Sequence, residues 1–293
     1  VKPDAIMSTT PSAAVLNLWY PISAGEDAKP GQRRSTVLLD QGLNYERGAD
    51  GGLTVWRATD GATALPVIER YGFIWTSLGT PPAELFPIPE YAESDRFNIC
   101  AGSIGVNVSA PRAIENFLDM GHFPYVHTGI LGEEPHTEVK EYDVEISGER
   151  DEVLATRCRF FQPQAALSAS EGIEVEYVYR VPHPYVAVLY KSCPAQPSRM
   201  DVIAIFCQPM GEEMVRAHLM LSMLDDVNTL TSMRRFQQTI FGQDRPILEN
   251  QYPKKLPLDP RAETPIRADK SAIAYRRWLS QKGINYGVIP EAA

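Results

Sequence analysis

The chain has 293 residues, 44% hydrophobic and 22% charged, the proportions of a globular protein with one large or two modest domains. A net charge of −9 would repel nucleic acid, and no run of eighteen apolar residues exists to cross a membrane as a helix. Its four cysteines show no paired spacing, which suggests reduced thiols in a cytoplasm and not a disulfide scaffold.

Residues 1–6 precede a Met7-Ser8-Thr9-Thr10 start and read as residual or upstream translated sequence, so 1–12 are set aside as a disordered leader. From 13 to 80, short apolar runs such as Ser35-Thr36-Val37-Leu38-Leu39 and Thr54-Val55-Trp56-Arg57 alternate with turns, among them the cluster Gly48, Gly51 and Gly52. A small β unit is expected there. Prolines from Pro81 to Pro89 then interrupt any regular element and predict a boundary, leaving 81–293 as the main domain.

Within that domain a helix is expected over 114–121, ending at Pro124, which lacks an amide proton and clashes with the carbonyl four residues back. Strand-like runs follow or precede it at 97–106, 138–146, 153–161, 173–181, 185–191, 200–209 and 214–223. A long helix over 227–251 closes the pattern. Antiparallel strands with segregated helices predict an α+β architecture of the helix-grip kind, a curved antiparallel sheet around a long C-terminal helix with a cavity between.

The segment from Asn116 to His127 holds two of the five histidines within six positions, with Asp119 and Asn116 beside them. Two neutral imidazoles and one carboxylate can occupy one face of a mononuclear ferrous ion and leave open positions for oxygen and substrate. On an unbroken helix His122 and His127 would diverge by roughly 140° and could not share an ion. Pro124 removes that objection, with His122 closing one helix and His127 coming from the next turn. A zincin is excluded by the spacing and the missing Glu. His136, His183 and His218 are isolated and read as structural or surface residues.

The third ligand must come from elsewhere. Along the long helix Leu230, Met233, Phe236, Gln237, Ile240, Phe241, Asp244, Ile247, Leu248 and Gln251 recur at three- and four-residue intervals, one buried stripe. A carboxylate on such a face is costly unless paired or metal-bound, so Asp244 needs a partner, either a metal or Arg245 in a salt bridge. Asp225 and Asp226 are weaker candidates, since an Asp at that junction is expected to cap the helix. Gln237, Ile240 and Phe241, one to two turns before Asp244, are the expected substrate-pocket residues.

These residues carry a resemblance. Glu115-Asn116 followed by Asp119, His122 and His127 resembles the catalytic segment of Rieske non-haem iron oxygenases, in the branch that demethylates aromatic ethers and N-methyl groups. Trp19-Tyr20-Pro21 with Lys29-Pro30-Gly31-Gln32, the stretch from Glu69 to Trp75, and the tail from Leu256 to Trp278 are similar to other parts of such chains. The resemblance implies His122, His127 and Asp244 as ligands of Fe(II), O2 as co-substrate, and Asp119 as an electron-transfer bridge, with Asn116 beside it.

One departure changes the expectation. A Rieske cluster needs Cys and His in Cys-x-His and Cys-x-x-His pairs, and Cys100, Cys158, Cys193 and Cys207 are each without a histidine two or three residues later. No [2Fe-2S] cluster is expected in this chain, and 13–80 read as a truncated remnant of the cluster domain. Electrons must then come from a separate Rieske-containing reductase that uses NADH, with a further adaptor protein as an additional partner. Resemblance to cluster-less bacterial members implies a trimer-based homo- or hetero-oligomer. It also implies oxidative N-demethylation of a methylxanthine from caffeine degradation, 7-methylxanthine to xanthine and formaldehyde being the first choice. The alternatives are a silent assembly subunit, or an O-demethylase or hydroxylase of another aromatic ring. An iron and 2-oxoglutarate enzyme would need a His-x-Asp pattern, which no histidine here supplies.

Overall fold

The computed structural model describes residues 9–61, 63–167, 171–194, 196–224 and 227–291. A one-turn helix, α1 (Ala13–Leu16), leads into two small antiparallel sheets. Strands β1 (Tyr20–Ala24), β5 (Val67–Arg70) and β6 (Phe73–Thr76) make one, in the order β1-β6-β5. Strands β2 (Arg34–Leu38), β3 (Gln41–Arg47) and β4 (Leu53–Arg57) make the other. The β3–β4 connection is the expected glycine turn: the Gly48 amide donates to Gly52 O at 2.8 Å, and Gly51 takes a φ of 86°, open to a residue without Cβ.

The main sheet has seven strands. These are β7 (Phe97–Val106), β8 (Asp143–Ser147), β9 (Glu152–Gln162), β10 (Ile173–His183), β11 (Val186–Cys193), β12 (Gln196–Gly211) and β13 (Met214–Met223), ordered β7-β13-β12-β11-β10-β9-β8 with antiparallel neighbours. Between β7 and β8 lie the helices α2 (Ala110–Leu118) and α3 (Phe123–Val126). After β13 come the long α4 (Leu230–Asn250) and then α5 (Lys270–Gln281). The helix-grip architecture read from the sequence is the one observed. No helix among the described residues is long and apolar enough to cross a membrane.

Alternation along the central strands explains the layers. On β11, Val186, Val188 and Tyr190 face a cluster built with Phe73 and Trp75 of β6 and Phe206 of β12. Leu189 points to the opposite face and lines the cavity beneath α4. Burial on both faces is why β11 reads as a nearly unbroken apolar run. The strand expected over 138–146 begins only at Asp143. Residues 138–142 lie against the start of α5, where the Tyr142 hydroxyl donates to Ala268 O at 2.5 Å and Glu138 and Glu141 pair with Arg267 and Lys270.

The edge strand β7 is covered by α4. Gln238 Nε2 donates to Ala101 O at 2.7 Å and Arg234 Nε to Cys100 O at 2.8 Å, occupying carbonyls that an exposed edge would offer to another strand. The helix starts at Thr229, whose side chain accepts from the Ser232 amide, and it continues through Pro246. Its buried stripe is narrower than the sequence pattern: Met233, Gln237, Phe241, Asp244 and Leu248 are buried, while Leu230 and Ile247 are 47% and 49% exposed. A helix resting on a concave sheet from one side needs only a narrow seam.

Candidate metal centre and its cavity

The histidine segment is shaped by one side chain. Ser109 caps α2, accepting from the Arg112 amide, and the helix is held against α5 and the tail by ion pairs of Arg112 with Glu115 and Glu263 and of Arg276 with the same two carboxylates. It stops at Leu118, earlier than the 114–121 expected. Asp119 leaves the helical region (φ −80°, ψ 123°) and its Oδ1 accepts the Gly121 amide at 2.7 Å, a local turn that competes with another helical bond. Pro124 therefore does not end the first helix. It occupies the first turn of α3, where a missing amide proton costs nothing, so His122 precedes α3 and His127 closes it. Asp225 and Asp226 lie outside the described residues.

The break lets both rings turn inward. His122 Nε2 and His127 Nε2 are 3.1 Å apart, and Asp244 Oδ1 lies 3.3 Å from the first and 3.0 Å from the second. His127 is buried, and the side chains of His122 and Asp244 are 13% and 11% exposed. The outer nitrogens are engaged: His122 Nδ1 is 3.0 Å from Asp119 Oδ2, and His127 Nδ1 is 2.9 Å from Gln243 Oε1. Both partners are acceptors, which assigns the ring protons to Nδ1 and leaves two Nε2 lone pairs aimed at a carboxylate oxygen.

Three acceptors converging on one point repel unless a positive charge lies among them. Asp244 Oδ1 is close to both rings, yet it is buried and has no well-formed hydrogen bond among the described residues. Burial opposes a charged His122 ring, but the carboxylates of Asp119 and Asp244 outweigh it and push the imidazole up to about 9. Burial alone would raise Asp244; the facing rings of His122 and His127 hold its carboxyl below the usual value. A proton and a metal ion thus compete for the same spot. The three ligand atoms lie within 4.8 Å of one another, and two imidazoles with one carboxylate form the facial donor set suited to ferrous iron. Arg245, the other partner considered for Asp244, pairs with Glu249 instead.

The triad lies on the wall of a cavity of about 160 Å³ between α4 and the sheet. Gln237, Ile240 and Phe241, expected there, all line it, as does Asn116. Asn116 and His122 also border an outer cleft that contains Asp119, Asn250, Gln251 and Pro265. Two polar residues went unnoticed in the sequence. Gln243 had a signal only in retrospect, as a polar neighbour of Asp244. Lys191 ends the strand expected over 185–191, and alternation from Ala187 and Leu189 puts it on the inward face.

Comparison with known proteins places the chain among oxygenases. Residues 106–283 match the family of the vanillate O-demethylase oxygenase C-terminal domain. The chain is 48% identical over 273 residues to the Pseudomonas sp. (strain TJI-51) protein named "Probable methylxanthine N7-demethylase NdmC", covering 93% of this chain and 96% of that one. It is 26% identical over 226 residues to the methylxanthine N1-demethylase NdmA of Pseudomonas putida, covering 73% of this chain and 59% of that longer protein. Among solved structures, NdmA with caffeine superposes with a TM-score of 0.73 at 18% identity, covering 92% of each chain. Dicamba monooxygenase superposes at 0.72 and 13% identity, covering 92% of this chain and 97% of that one.

Fold, donor set and relatives together define the catalytic component of an oxygenase of the Rieske non-haem iron class. The chain belongs to the vanillate O-demethylase oxygenase C-terminal domain family.

Proposed function

We propose that the protein is an O2-dependent N-demethylase of a methylxanthine, with 7-methylxanthine as the preferred substrate and a cytoplasmic location. The observation that carries this reading is the convergence of His122, His127 and Asp244 on one point beside a largely apolar cavity. The named activity of the 48% identical relative supports the substrate class. His122, His127 and Asp244 would hold Fe(II), which when bound supplies the activation of O2 that inserts oxygen into an N-methyl C–H bond. The hydroxymethyl product loses formaldehyde and leaves N–H, so that one O2, two electrons and two protons yield the demethylated ring, formaldehyde and water.

The protein's own residues shape the remaining steps. Apolar side chains from the sheet and from Ile240 and Phe241 exclude water and accept a flat ring; Gln237 offers a hydrogen bond to it. Asp119 orients His122 from the side of the outer cleft and is the carboxylate through which an external donor would reach the site. Residues 13–80 are proposed to be the remnant of a cluster domain, so the electrons come from a separate Rieske-containing reductase using NADH. The test is formaldehyde release from methylxanthines by the purified chain with and without such a reductase and NADH, alongside iron analysis. Iron-dependent release only with the reductase is expected. Release without a redox partner contradicts the electron-supply argument, and absence of bound iron after loading favours a silent assembly subunit.

A further inference from the structure

Building on the cavity as a substrate site, the geometry points to Lys191 as a substrate-anchoring residue, its Nζ donating to an exocyclic carbonyl oxygen of a flat heterocycle. Lys191 is only 6% exposed and borders the cavity. It stands on the inward face of β11, in register with Tyr177 of β10 and Asp201 of β12. Its Nζ is 5.8 Å from the Tyr177 ring, which is 6.3 Å from the Phe123 ring, itself 6.0 Å from His127. Two aromatic rings thus separate the ammonium from the candidate ligands.

A structural buried lysine would be paired, because an ammonium removed from water is costly without hydrogen bonds. Among the described residues no acceptor takes a hydrogen bond from Lys191 and no carboxylate forms a salt bridge with it. Its register partner Asp201 uses Oδ1 to accept the Leu224 amide at 2.8 Å. The Tyr177 ring face and the nearby carboxylate favour the cation while leaving its protons free. Burial pulls the ammonium down to about 8, partly countered by Asp201, so it stays mostly charged at neutral pH. Across the cavity Gln237 is also buried, and its amide makes no hydrogen bond among the described residues. Two polar heads with no hydrogen-bond partner among the described residues, in an apolar chamber, fit a flat heterocycle carrying at least one exocyclic carbonyl.

Calorimetric binding to the iron-loaded chain tests this with two probes, an N-methylated purinedione and an N-methylated benzimidazole, similar in shape but without the carbonyls. Lys191→Met is expected to weaken purinedione binding roughly 10- to 100-fold and to leave benzimidazole binding within about twofold. Unchanged purinedione binding, or equal weakening of both probes, overturns the assignment, as does a wild type that prefers benzimidazole. Should Lys191→Met not fold, Lys191→Leu, which also lacks a donor, is read by the same criteria. Formaldehyde release separates this inference from the reading it rests on. No release by the wild type, with Lys191-dependent binding intact, overturns only the demethylase reading. Unchanged KM and release in Lys191→Met overturn only the anchoring role.

Discussion

Asp119 braces His122 through one oxygen while the other shapes the backbone beneath it: Oδ2 is 3.0 Å from His122 Nδ1 and Oδ1 accepts the Gly121 amide at 2.7 Å. One carboxylate both ends α2 and fixes the ring that faces Asp244. Asp119→Asn keeps an oxygen for the Gly121 turn but removes the anion. It is expected to retain iron, measured by elemental analysis, and to lose about 100-fold in reductase-driven formaldehyde release. Loss of iron from this variant would reduce Asp119 to a structural role.

His122→Ala, His127→Ala and Asp244→Ala each remove one of the three converging ligand atoms and are expected to abolish iron loading. Gln243→Leu leaves His127 Nδ1 without its acceptor at 2.9 Å, freeing the ring to change tautomer. Metal affinity, followed by titration against a chelator, should fall about 10- to 100-fold in that variant. Undiminished affinity would show that packing alone orients His127.

Gly132 lies against the start of α3. A Cβ there would meet Pro124 N at 2.9 Å and Pro124 Cα at 3.0 Å, backbone that cannot swing away. Gly132→Ala should therefore displace the short helix that carries His127, destabilising the protein by about 1–3 kcal/mol. Iron affinity should fall with it. A variant with wild-type melting temperature and iron content would refute the close-packing argument.

Two histidines outside the site set an acid limit. Burial, aided by Lys282, holds His183 down to about 3, and burial, aided by Arg216, does the same for His218. Unfolded, each titrates near 6.5, so below that pH the unfolded chain binds protons that the native chain refuses. The stability they permit is complete above about 6.5 and declines as pH falls towards 3. Between pH 7 and pH 5 the loss should be about 2 kcal/mol for each, read from urea denaturation. His218→Gln, placed between Ser103 and Gln208, should flatten that slope by about half if it folds; an unchanged slope in a folded variant would exclude His218 as a source.

Much of the fold was legible in the sequence because it is written in local periods. Alternation marked β7 and β13 at their observed bounds and the other strands to within a few residues, apart from β8. That strand starts late because Tyr142 is drawn to α5, a contact no local pattern encodes. The long helix was visible for the same reason. Its buried seam is narrower than the pattern predicts, since a 3.6-residue period shows which side faces inward but not how wide the contact is.

For the site, the sequence by itself determined the types of candidate ligand and their rough neighbourhoods: two imidazoles flanking a proline, and a carboxylate on the apolar face of a distant helix. It could not determine that Asp119, and not Pro124, ends the first helix, because that choice rests on a side-chain hydrogen bond to one amide. Nor could it pair His127 with Gln243 across 116 residues, or bury Lys191 with no acceptor among the described residues. Periodicity depends on neighbours a few residues apart, whereas the convergence of acceptor atoms depends on how the sheet curves and where α4 lies across it. Only the tertiary structure decides that.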